Sequence, residues 1–492
     1  MSVCQLASDP ILTHITPRWA RKIAYNCPCD DCSNELSGGR AVFDSLLSMR
    51  KAPACVEITK ESPWSQSYEE ARNKFRAAAA ACGAKLETIA YDSRAGFDGV
   101  WRAHAPDGAL PNLSIDVATL GDPATAEGII IHTSGVHGVE GYTGSAIQIA
   151  FLRRAADTKP NPKVALVLVH AVNALGMAEF RRWNERGVDL NRNYIGVREG
   201  AVIEGTDTPA TFDNLAALPY DLYKKVSSAI NIEAPSMLPR VEFYSSVVGL
   251  ILRYGFGPLK QAIAGGNYLP SATEKVRASR QPELFYGGFE KEQSVRLLHD
   301  LLERLGRKRT RAMPRAFHID VHTGLGPYGH DSLLATDTSG EAGHVTSLEA
   351  LSAALGGDGT AEGAERVRGE GYHVETEGDS ASGGTAYTTY GQVKEGALIA
   401  FANAVPGGIG QGGCVVQEFG TRSNLAVFQA LRAEAALLRD AESRGEPAPP
   451  ASHPVRQTLR EAFYPEDAVW RETVLSRGLK VLEQAVGWAG ES

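Results

Sequence analysis

The sequence lacks the features of a membrane-spanning or secreted protein. None of its apolar runs reaches the roughly 18 residues that cross a bilayer, and its N terminus has no apolar signal segment. The 492 residues carry a formal charge of −8, which argues against the basic face that nucleic-acid binding requires. We therefore expect a cytoplasmic protein that binds neither membranes nor nucleic acid. Residues 1–29 hold Arg18, Arg21 and Lys22 against a lone Asp9, so an organellar presequence is the weaker alternative to a plain extension.

Cysteine is also scarce, and its placement argues against a disulfide framework. The seven cysteines are an odd number, spread unevenly over a long chain, which favours a reducing compartment. Three of them lie close together in NCPCDDC, as Cys27, Cys29 and Cys32, and could hold a metal or form a redox pair. A second Cys/His pair at zinc-site spacing is missing, so we favour no functional role for them and leave their role open.

The chain is organised as strands that alternate with helices. Residues 1–65 are poorly patterned and predict an N-terminal extension, whereas from Tyr68 onward apolar residues recur at helical spacing. The clearest β-rich runs are GIIIH (128–132), KVALVLVH (163–170), AFHIDVH (316–322) and CVVQEF (414–419). Nearly continuous apolar strands separated by helices favour an α/β fold with an internal sheet. Residues 66–440 are the predicted main domain, and 441–492 a linker followed by an amphipathic helix near 466–487.

The turn after the first apolar run carries a histidine and a carboxylate. His137 and Glu140 stand three positions apart in GVHGVEG, among glycines that permit a tight backbone. In open α/β sheets ligands bind beyond the carboxyl ends of strands, where this turn lies. A catalytic zinc ion typically has three protein ligands, often two histidines and a carboxylate. Because H-x-x-E also arises by chance, these two residues alone are a weak signal.

A second candidate group lies in FHIDVHTGLG. His318, Asp320 and His322 alternate and therefore point to one face of the strand. His322 comes last, where we expect the chain to leave the sheet, and is the best candidate for a third ligand. Asp320 is placed to accept its second ring proton, as carboxylates beside metal-bound imidazoles usually do. The alternative is a buried polar trio that satisfies itself, and for His318 alone we favour that alternative.

A third, densely polar stretch is RRWNERGVDLNRNY, residues 181–194. Its candidate functional residues are Arg181, Arg182, Arg186, Asp189, Asn191 and Arg192. A guanidinium binds carboxylates through two hydrogen bonds, so the stretch could recognise an acidic substrate. Taken alone, it is better interpreted as a solvated, salt-bridged loop.

The fourth group is VVQEFGT, in which Glu418 follows an apolar strand and precedes Gly420. A carboxylate at such a place is either an exposed charge or a general base in a pocket. The residues of this segment do not distinguish the two.

Taken together and in order, the four groups resemble the zinc carboxypeptidase superfamily. Carboxypeptidase A and the succinylglutamate desuccinylase/aspartoacylase deacylases are its best-known branches. VNALGMAEFRRWNERGVDLNRNY (172–194) is similar to the INPYGF…RRVNE…VDLNRNF pattern of a poorly characterised branch, a domain of unknown function. The resemblance covers about residues 66–440. It implies a mixed, mostly parallel sheet of about eight strands with helices on both faces, a zinc carboxypeptidase-like fold.

The resemblance assigns a metal site and a base. His137, Glu140 and His322 match the ligands of one catalytic zinc ion. Asp189 matches the aspartate that steadies the first histidine ligand. Glu418 matches the carboxylate that takes a proton from the zinc-bound water and passes it to the leaving nitrogen.

The resemblance also assigns residues that contact the substrate. Arg182 matches the arginine that stabilises the oxyanion, with Arg181 as the alternative in register. Asn191 and Arg192 match the pair that grips a substrate carboxylate. The substrate-capping tyrosine has no single match; the candidates are Tyr286, Tyr328, Tyr387 and Tyr390. The long gap between Glu140 and His322 implies a family-specific insertion over 195–310.

The resemblance implies a zinc-dependent hydrolase that cleaves an amide bond next to a free carboxylate. Its substrate is expected to be a peptide or a small molecule, so that the enzyme is a carboxypeptidase or an N-acyl amino acid deacylase. One alternative is an esterase or peptidoglycan-type amidase on the same fold. Another is a non-enzymatic binding protein that retains the metal. The sequence leaves the oligomeric state open.

Overall fold

The computed structural model describes residues 62–92, 112–158, 161–196, 207–218, 220–232, 240–268, 283–335, 352–355, 373–376 and 389–491. The closely spaced cysteines Cys27, Cys29 and Cys32, Tyr387, and nearly all of the predicted N-terminal extension lie outside these ranges. The domain boundaries inferred from the sequence stay predictions.

A mixed sheet of eight strands organises the described part of the chain. The strands are β1 (Lys85–Ala90), β2 (Ser114–Leu120), β3 (Gly128–Ser134), β4 (Val164–His170), β5 (Met313–Tyr328), β6 (Asp331–Ala335), β7 (His373–Thr376) and β8 (Ile409–Gly420). Their order is β1-β2-β4-β3-β5-β8-β6-β7. The run β4-β3-β5-β8 and the pair β6-β7 are parallel, whereas β1-β2, β2-β4 and β8-β6 are antiparallel.

Helices cover both faces of this sheet. They are α1 (Tyr68–Ala81), α2 (Gly141–Asp157), α3 (Ala174–Ala178), α4 (Phe212–Ala216), α5 (Asp221–Ile230), α6 (Arg240–Tyr254), α7 (Phe256–Ala264), α8 (Gln293–Arg307), α9 (Val393–Ala404), α10 (Asn424–Ser443), α11 (Pro454–Phe463) and α12 (Ala468–Ala489). Helices α1, α2 and α12 pack on one side and α8 and α9 on the other. The predicted fold class, including the C-terminal helix, is confirmed.

The central strands are apolar because both of their faces are buried. In β3, Ile130 belongs to the core under α2 and α12, while Ile129 and Ile131 belong to the core under α8 and α9. The sequence of a strand that is covered on both faces is a continuous apolar run, without the alternation of polar and apolar residues that a half-exposed strand shows. Because β3, β5 and β8 are adjacent and parallel, their carboxyl ends lie at one edge of the sheet, where His322 and Glu418 are paired in register.

One strand differs from the prediction. The sequence suggested that the chain leaves the sheet directly after His322, but β5 continues to Tyr328. The pairing with β8 shifts register between Gly324 and Tyr328, which makes the extension irregular. In the described ranges, no helix combines the length and the apolar character needed to span a membrane.

Candidate metal centre

Three buried side chains converge at the carboxyl edge of β3 and β5. His137 Nδ1 lies 2.9 Å from His322 Nδ1 and 3.0 Å from Glu140 Oε1, and His322 Nδ1 lies 3.1 Å from Glu140 Oε2. Zinc bonds to nitrogen and oxygen are roughly 2.0–2.2 Å long, so donor atoms about 3 Å apart can share one ion. Two imidazoles and one carboxylate are also a common donor set for catalytic zinc. The three residues therefore fit a single divalent cation.

The loop that carries His137 and Glu140 is held by backbone contacts. Gly138 N donates to the Arg182 carbonyl at 3.2 Å, and Val139 N donates to the Arg181 carbonyl at 2.8 Å. A Cβ atom on Gly138 would lie 2.0 Å from the carbonyl carbon of Gly176, so only glycine allows this approach. The short 3-10 turn Gly138–Glu140 then places the carboxylate opposite the imidazole.

Each imidazole is oriented by a carboxylate behind it. His137 Nε2 lies 2.9 Å from Asp189 Oδ1, and His322 Nε2 lies 2.8 Å from Asp320 Oδ2. An ionised carboxylate only accepts hydrogen bonds, so each Nε2 carries the proton and donates it. Both Nδ1 atoms then present lone pairs to the same small space. A cation or a shared proton is required there, which is the arrangement of a metal site before its metal binds.

The electrostatics around these ligands favour a cation. Burial alone would lower the pKa of His322, but Asp320 and Glu140 outweigh it and raise that pKa well above its ordinary value. Burial alone would raise the pKa of Glu140, but His137 and His322 hold it far below the usual range. Glu140 is further stabilised as a carboxylate by Thr323 N, which donates to Oε2 at 3.0 Å.

Asp320 is itself positioned by a buried polar chain. Thr133, its register partner on β3, lies 2.6 Å from Asp320 Oδ1 and 2.9 Å from His318 Nε2 through its hydroxyl. His318 Nδ1 donates to the carbonyl of Lys394 at 2.7 Å. His318 thus belongs to this series of buried hydrogen bonds and not to the three candidate ligands. Sequence reasoning missed Thr133, because only the strand register puts it opposite Asp320.

Asp189 forms the hub of a buried ion cluster. In addition to His137, it accepts hydrogen bonds from Arg182 Nε at 3.1 Å, Arg192 Nη1 at 2.8 Å and the backbone N–H of Asn191 at 3.0 Å. Burial would raise its pKa, yet Arg192 and Arg182 hold that pKa well below the ordinary value. Arg182 also donates from Nη1 to Glu140 Oε1 at 3.0 Å. It therefore bridges the candidate ligand Glu140 and the aspartate that contacts His137.

The two arginine alternatives separate in space. Arg182 contacts Glu140 and Asp189 at the candidate metal centre. The Arg181 side chain is buried in a different charged group, where burial and Arg456 lower its pKa to about 10. Of the two, the geometry brings only Arg182 to the candidate ligands.

The predicted carboxylate-binding pair is engaged by the protein itself. Arg192 is 1% exposed and pairs with Asp189, while Asn191 Oδ1 accepts from Val393 N at 2.9 Å. Binding of a substrate carboxylate by Arg192 would require its guanidinium to leave these contacts. The substrate-binding role of both residues stays a prediction.

Glu418 lies beside His322 on the neighbouring strand. The two residues are paired in register across β5 and β8, and Oε1 of Glu418 accepts from Leu325 N at 2.9 Å. Burial and the negative charge of Glu140 raise the pKa of Glu418 to about 7, against the opposing effect of His322. A carboxyl group with such a pKa exchanges protons near neutral pH, as a general base must.

The candidate capping tyrosines are not separated by these contacts. The Tyr286 carbonyl accepts from Asp189 N at 2.8 Å, and the Tyr390 carbonyl accepts from Tyr268 Oη at 3.1 Å. Tyr328 is 43% exposed, with the Arg422 guanidinium 6.0 Å from its ring centroid. Which tyrosine covers a substrate stays open.

No curated protein matches this chain. Among solved structures, it is similar to bovine thrombin-activatable fibrinolysis inhibitor in complex with tick carboxypeptidase inhibitor, at 12% identity over 78% of this chain and 99% of that one, with a TM-score of 0.33. It is similar to a proposed metallopeptidase from Shewanella amazonensis SB2B, at 12% identity over 76% and 92% of the two chains and a TM-score of 0.32.

A third similar structure is a proposed succinylglutamate desuccinylase/aspartoacylase from Shewanella frigidimarina NCIMB 400. It is 13% identical over 75% of this chain and 74% of that one, with a TM-score of 0.29. A family model described as protein of unknown function (DUF2817) matches residues 64–477, which is most of the chain. The resemblance to a branch of unknown function is thereby confirmed, and the chain belongs to the DUF2817 family.

Proposed function

We propose that this protein is a zinc-dependent hydrolase that cleaves an amide bond with the help of Glu418. The observation that carries the proposal is the convergence of His137, Glu140 and His322, with donor atoms about 3 Å apart, beside a buried carboxyl group on the next strand. When bound by these three residues, zinc supplies a Lewis acid and lowers the pKa of a coordinated water to about 7.

The residues of the chain supply proton transfer and orientation. Glu418 accepts a proton from the attacking water and passes it to the leaving nitrogen, a role for which a carboxyl group whose pKa burial and Glu140 raise to about 7 in the metal-free protein is suited. Asp189 and Asp320 fix the two imidazoles, so that both ligand nitrogens keep their lone pairs.

Arg182 stabilises negative charge beside the reacting carbonyl in this proposal. Its guanidinium lies against Glu140 and Asp189, and Phe285 supports it with its ring centroid 5.4 Å from the guanidinium carbon. A fixed cation near a developing oxyanion typically accelerates acyl transfer by roughly 10²-fold or more.

Metal analysis combined with Glu418→Gln tests the proposal. The purified protein should contain one zinc per chain, chelation should abolish amide hydrolysis, and Glu418→Gln should retain zinc but lose almost all turnover. Glu434→Gln is a matched control, because Glu434 is likewise buried with a pKa raised to about 7, but lies on α10. Full amide hydrolysis by Glu418→Gln would exclude the mechanism, and a clear preference for esters over amides would favour an esterase.

A further inference from the structure

We infer that Arg192 is a positioning residue for the metal centre, and that the site acts on amides whose leaving amine carries no free carboxylate. The substrate part of this inference rests on the proposed hydrolase function, whereas the positioning part does not. It departs from the role that the sequence resemblance implies for Arg192.

The guanidinium of Arg192 is already bound along the edges that would hold a carboxylate. Nε donates to the carbonyl of Ala264 at 3.2 Å, and Nη2 donates to the same oxygen. Nη1 donates to Asp189 Oδ2 at 2.8 Å. A carboxylate that binds arginine side-on needs Nε and Nη2 together, and here that edge is filled by the end of α7.

The surroundings of Arg192 are shaped for this one conformation. Its guanidinium carbon lies 5.0 Å from the ring centroid of Phe285, and Tyr268 Oη donates to its carbonyl at 2.7 Å. Gly266 has a φ of +99°, and a Cβ atom there would lie 2.9 Å from Arg192 Cδ. Phe285 keeps a φ of +62°, which is strained for a bulky residue and indicates that packing determines the backbone here.

The charge of Arg192 has a specific use inside the protein. Asp189 is fully buried and must stay ionised to accept the Nε2–H of His137. Arg192 and Arg182 together neutralise and hydrogen-bond it. Moving Arg192 to a substrate would leave a buried carboxylate with one cation fewer, which is strongly unfavourable. Arg192 therefore acts on the metal through Asp189 and His137.

This assignment points to a class of substrate. Within the described part of the chain, both guanidiniums at the metal centre, those of Arg182 and Arg192, are paired with protein carboxylates. Among the described residues, a substrate carboxylate next to the cleaved bond would therefore lie near the carboxyl groups of Glu140 and Glu418 without a cation reserved for it. A neutral leaving amine, as in an N-acyl amine, an amidated peptide or an internal peptide bond, needs no such cation.

Matched substrates and metal titrations test the inference on the full-length protein. Substrates are N-acyl amino acids paired with their carboxamides, and the metal probe is Zn²⁺ titrated into metal-free protein against a chelator. We expect kcat/KM for the carboxamide to equal or exceed that for the acid. Arg192→Gln should weaken Zn²⁺ binding about 10–100-fold, as loss of groups behind metal ligands typically does. Arg192→Lys, which keeps the charge, should restore part of that affinity, and the ratio between the two substrates should not change in either variant.

The opposite pattern would overturn the inference. In that case the wild type prefers the free acid at least tenfold, and Arg192→Gln raises KM for the acid alone while Zn²⁺ affinity stays unchanged. Phe285→Leu serves as a second variant if Arg192→Gln does not fold, since it removes the ring but keeps both hydrogen-bond partners; it should weaken Zn²⁺ binding less than tenfold without altering the substrate ratio. If neither substrate is hydrolysed, the hydrolase proposal fails, and unchanged Zn²⁺ affinity in Arg192→Gln would still refute the positioning role.

Discussion

The Nδ1 atoms of His137 and His322 lie 2.9 Å apart, while the Nε2 atom of each ring faces a buried carboxylate. The carboxylates hold the ring protons on the far sides, so both lone pairs point into the space between the rings. Such an arrangement is unfavourable unless a positive charge occupies that space. Because either a proton or a metal cation can occupy that space, the affinity of this site for a metal cation depends on the pH.

Metal binding should therefore displace a proton from the imidazole pair. Asp320 and Glu140 raise the pKa of His322 well above its ordinary value, so the metal-free protein keeps a proton there at neutral pH. Zn²⁺ and this proton compete for the same nitrogen. The affinity for Zn²⁺ should therefore fall about tenfold for each unit by which the pH is lowered, for each proton displaced. Calorimetric titration in buffers of different ionisation enthalpy measures the number released. A binding enthalpy independent of the buffer would contradict this prediction.

The pH dependence of catalysis should report the ionisation of Glu418. Burial and Glu140 raise the pKa of Glu418 to about 7, so at lower pH the carboxyl group is protonated and cannot act as a base. Activity should rise with pH through an acidic limb at or below about 7, since a nearby cation lowers the pKa of a carboxyl group. The profile of kcat/KM between about pH 5 and 9 measures it. In Glu418→Gln, any residual activity should lack this limb; a persistent limb would assign it to another group.

Thr133→Val should weaken the metal centre through Asp320. The substitution keeps the shape of the side chain but removes the hydroxyl between Asp320 and His318, which leaves buried polar atoms unpaired. We expect a loss of about 1–3 kcal/mol in the free energy of unfolding, together with weaker Zn²⁺ binding. Denaturant titration and chelator competition measure the two effects.

Thr143→Val is the matched control for that variant. Thr143 is also fully buried, but among the described residues its hydroxyl has no hydrogen-bond partner. Its replacement should leave stability unchanged or slightly higher, because no bond is lost. Equal losses in both variants would show that the Thr133 hydrogen bonds do not matter.

Gly138→Ala should separate the metal-binding loop from α3. The new Cβ atom would overlap the backbone of Gly176, at 2.0 Å, so that the loop carrying His137 and Glu140 must move. Overpacking of this kind costs about 1–3 kcal/mol or more, and Zn²⁺ binding should be lost with it. In contrast, Gly487→Ala on the exposed side of α12 meets open space and should stabilise the protein by about 0.5–1 kcal/mol. Normal Zn²⁺ affinity in Gly138→Ala would show that the loop tolerates the shift.

Much of the site was predictable because local patterns encode it. Continuous apolar runs predicted the buried strands, and the resemblance to the zinc carboxypeptidase superfamily implied that His137, Glu140 and His322 bind one ion with Glu418 beside it. The three candidate ligands do meet. The family of unknown function was also recognisable from short motifs, because residues near a metal are restricted in type and spacing.

Other features depended on contacts between distant segments. Thr133 faces Asp320 only because β3 and β5 pair in one register, and sequence does not state the register between strands 187 positions apart. Arg182 and Arg181 are adjacent in the chain, yet only the fold shows which of them contacts Glu140.

Arg192 illustrates the limit most clearly. Its motif implies that Arg192 binds the substrate carboxylate. Its guanidinium is instead bound by the Ala264 carbonyl and the Phe285 ring, which belong to the predicted insertion 195–310. Local sequence thus determined which residues form the central strands, since apolar periodicity acts over a few positions, and its short motifs carried the family resemblance that implied the metal ligands. The tertiary structure alone decided which charged groups pair with each other. The pairing of buried charges depends on their distances and on the cost of desolvation in the folded protein, and neither quantity follows from the residues adjacent in sequence.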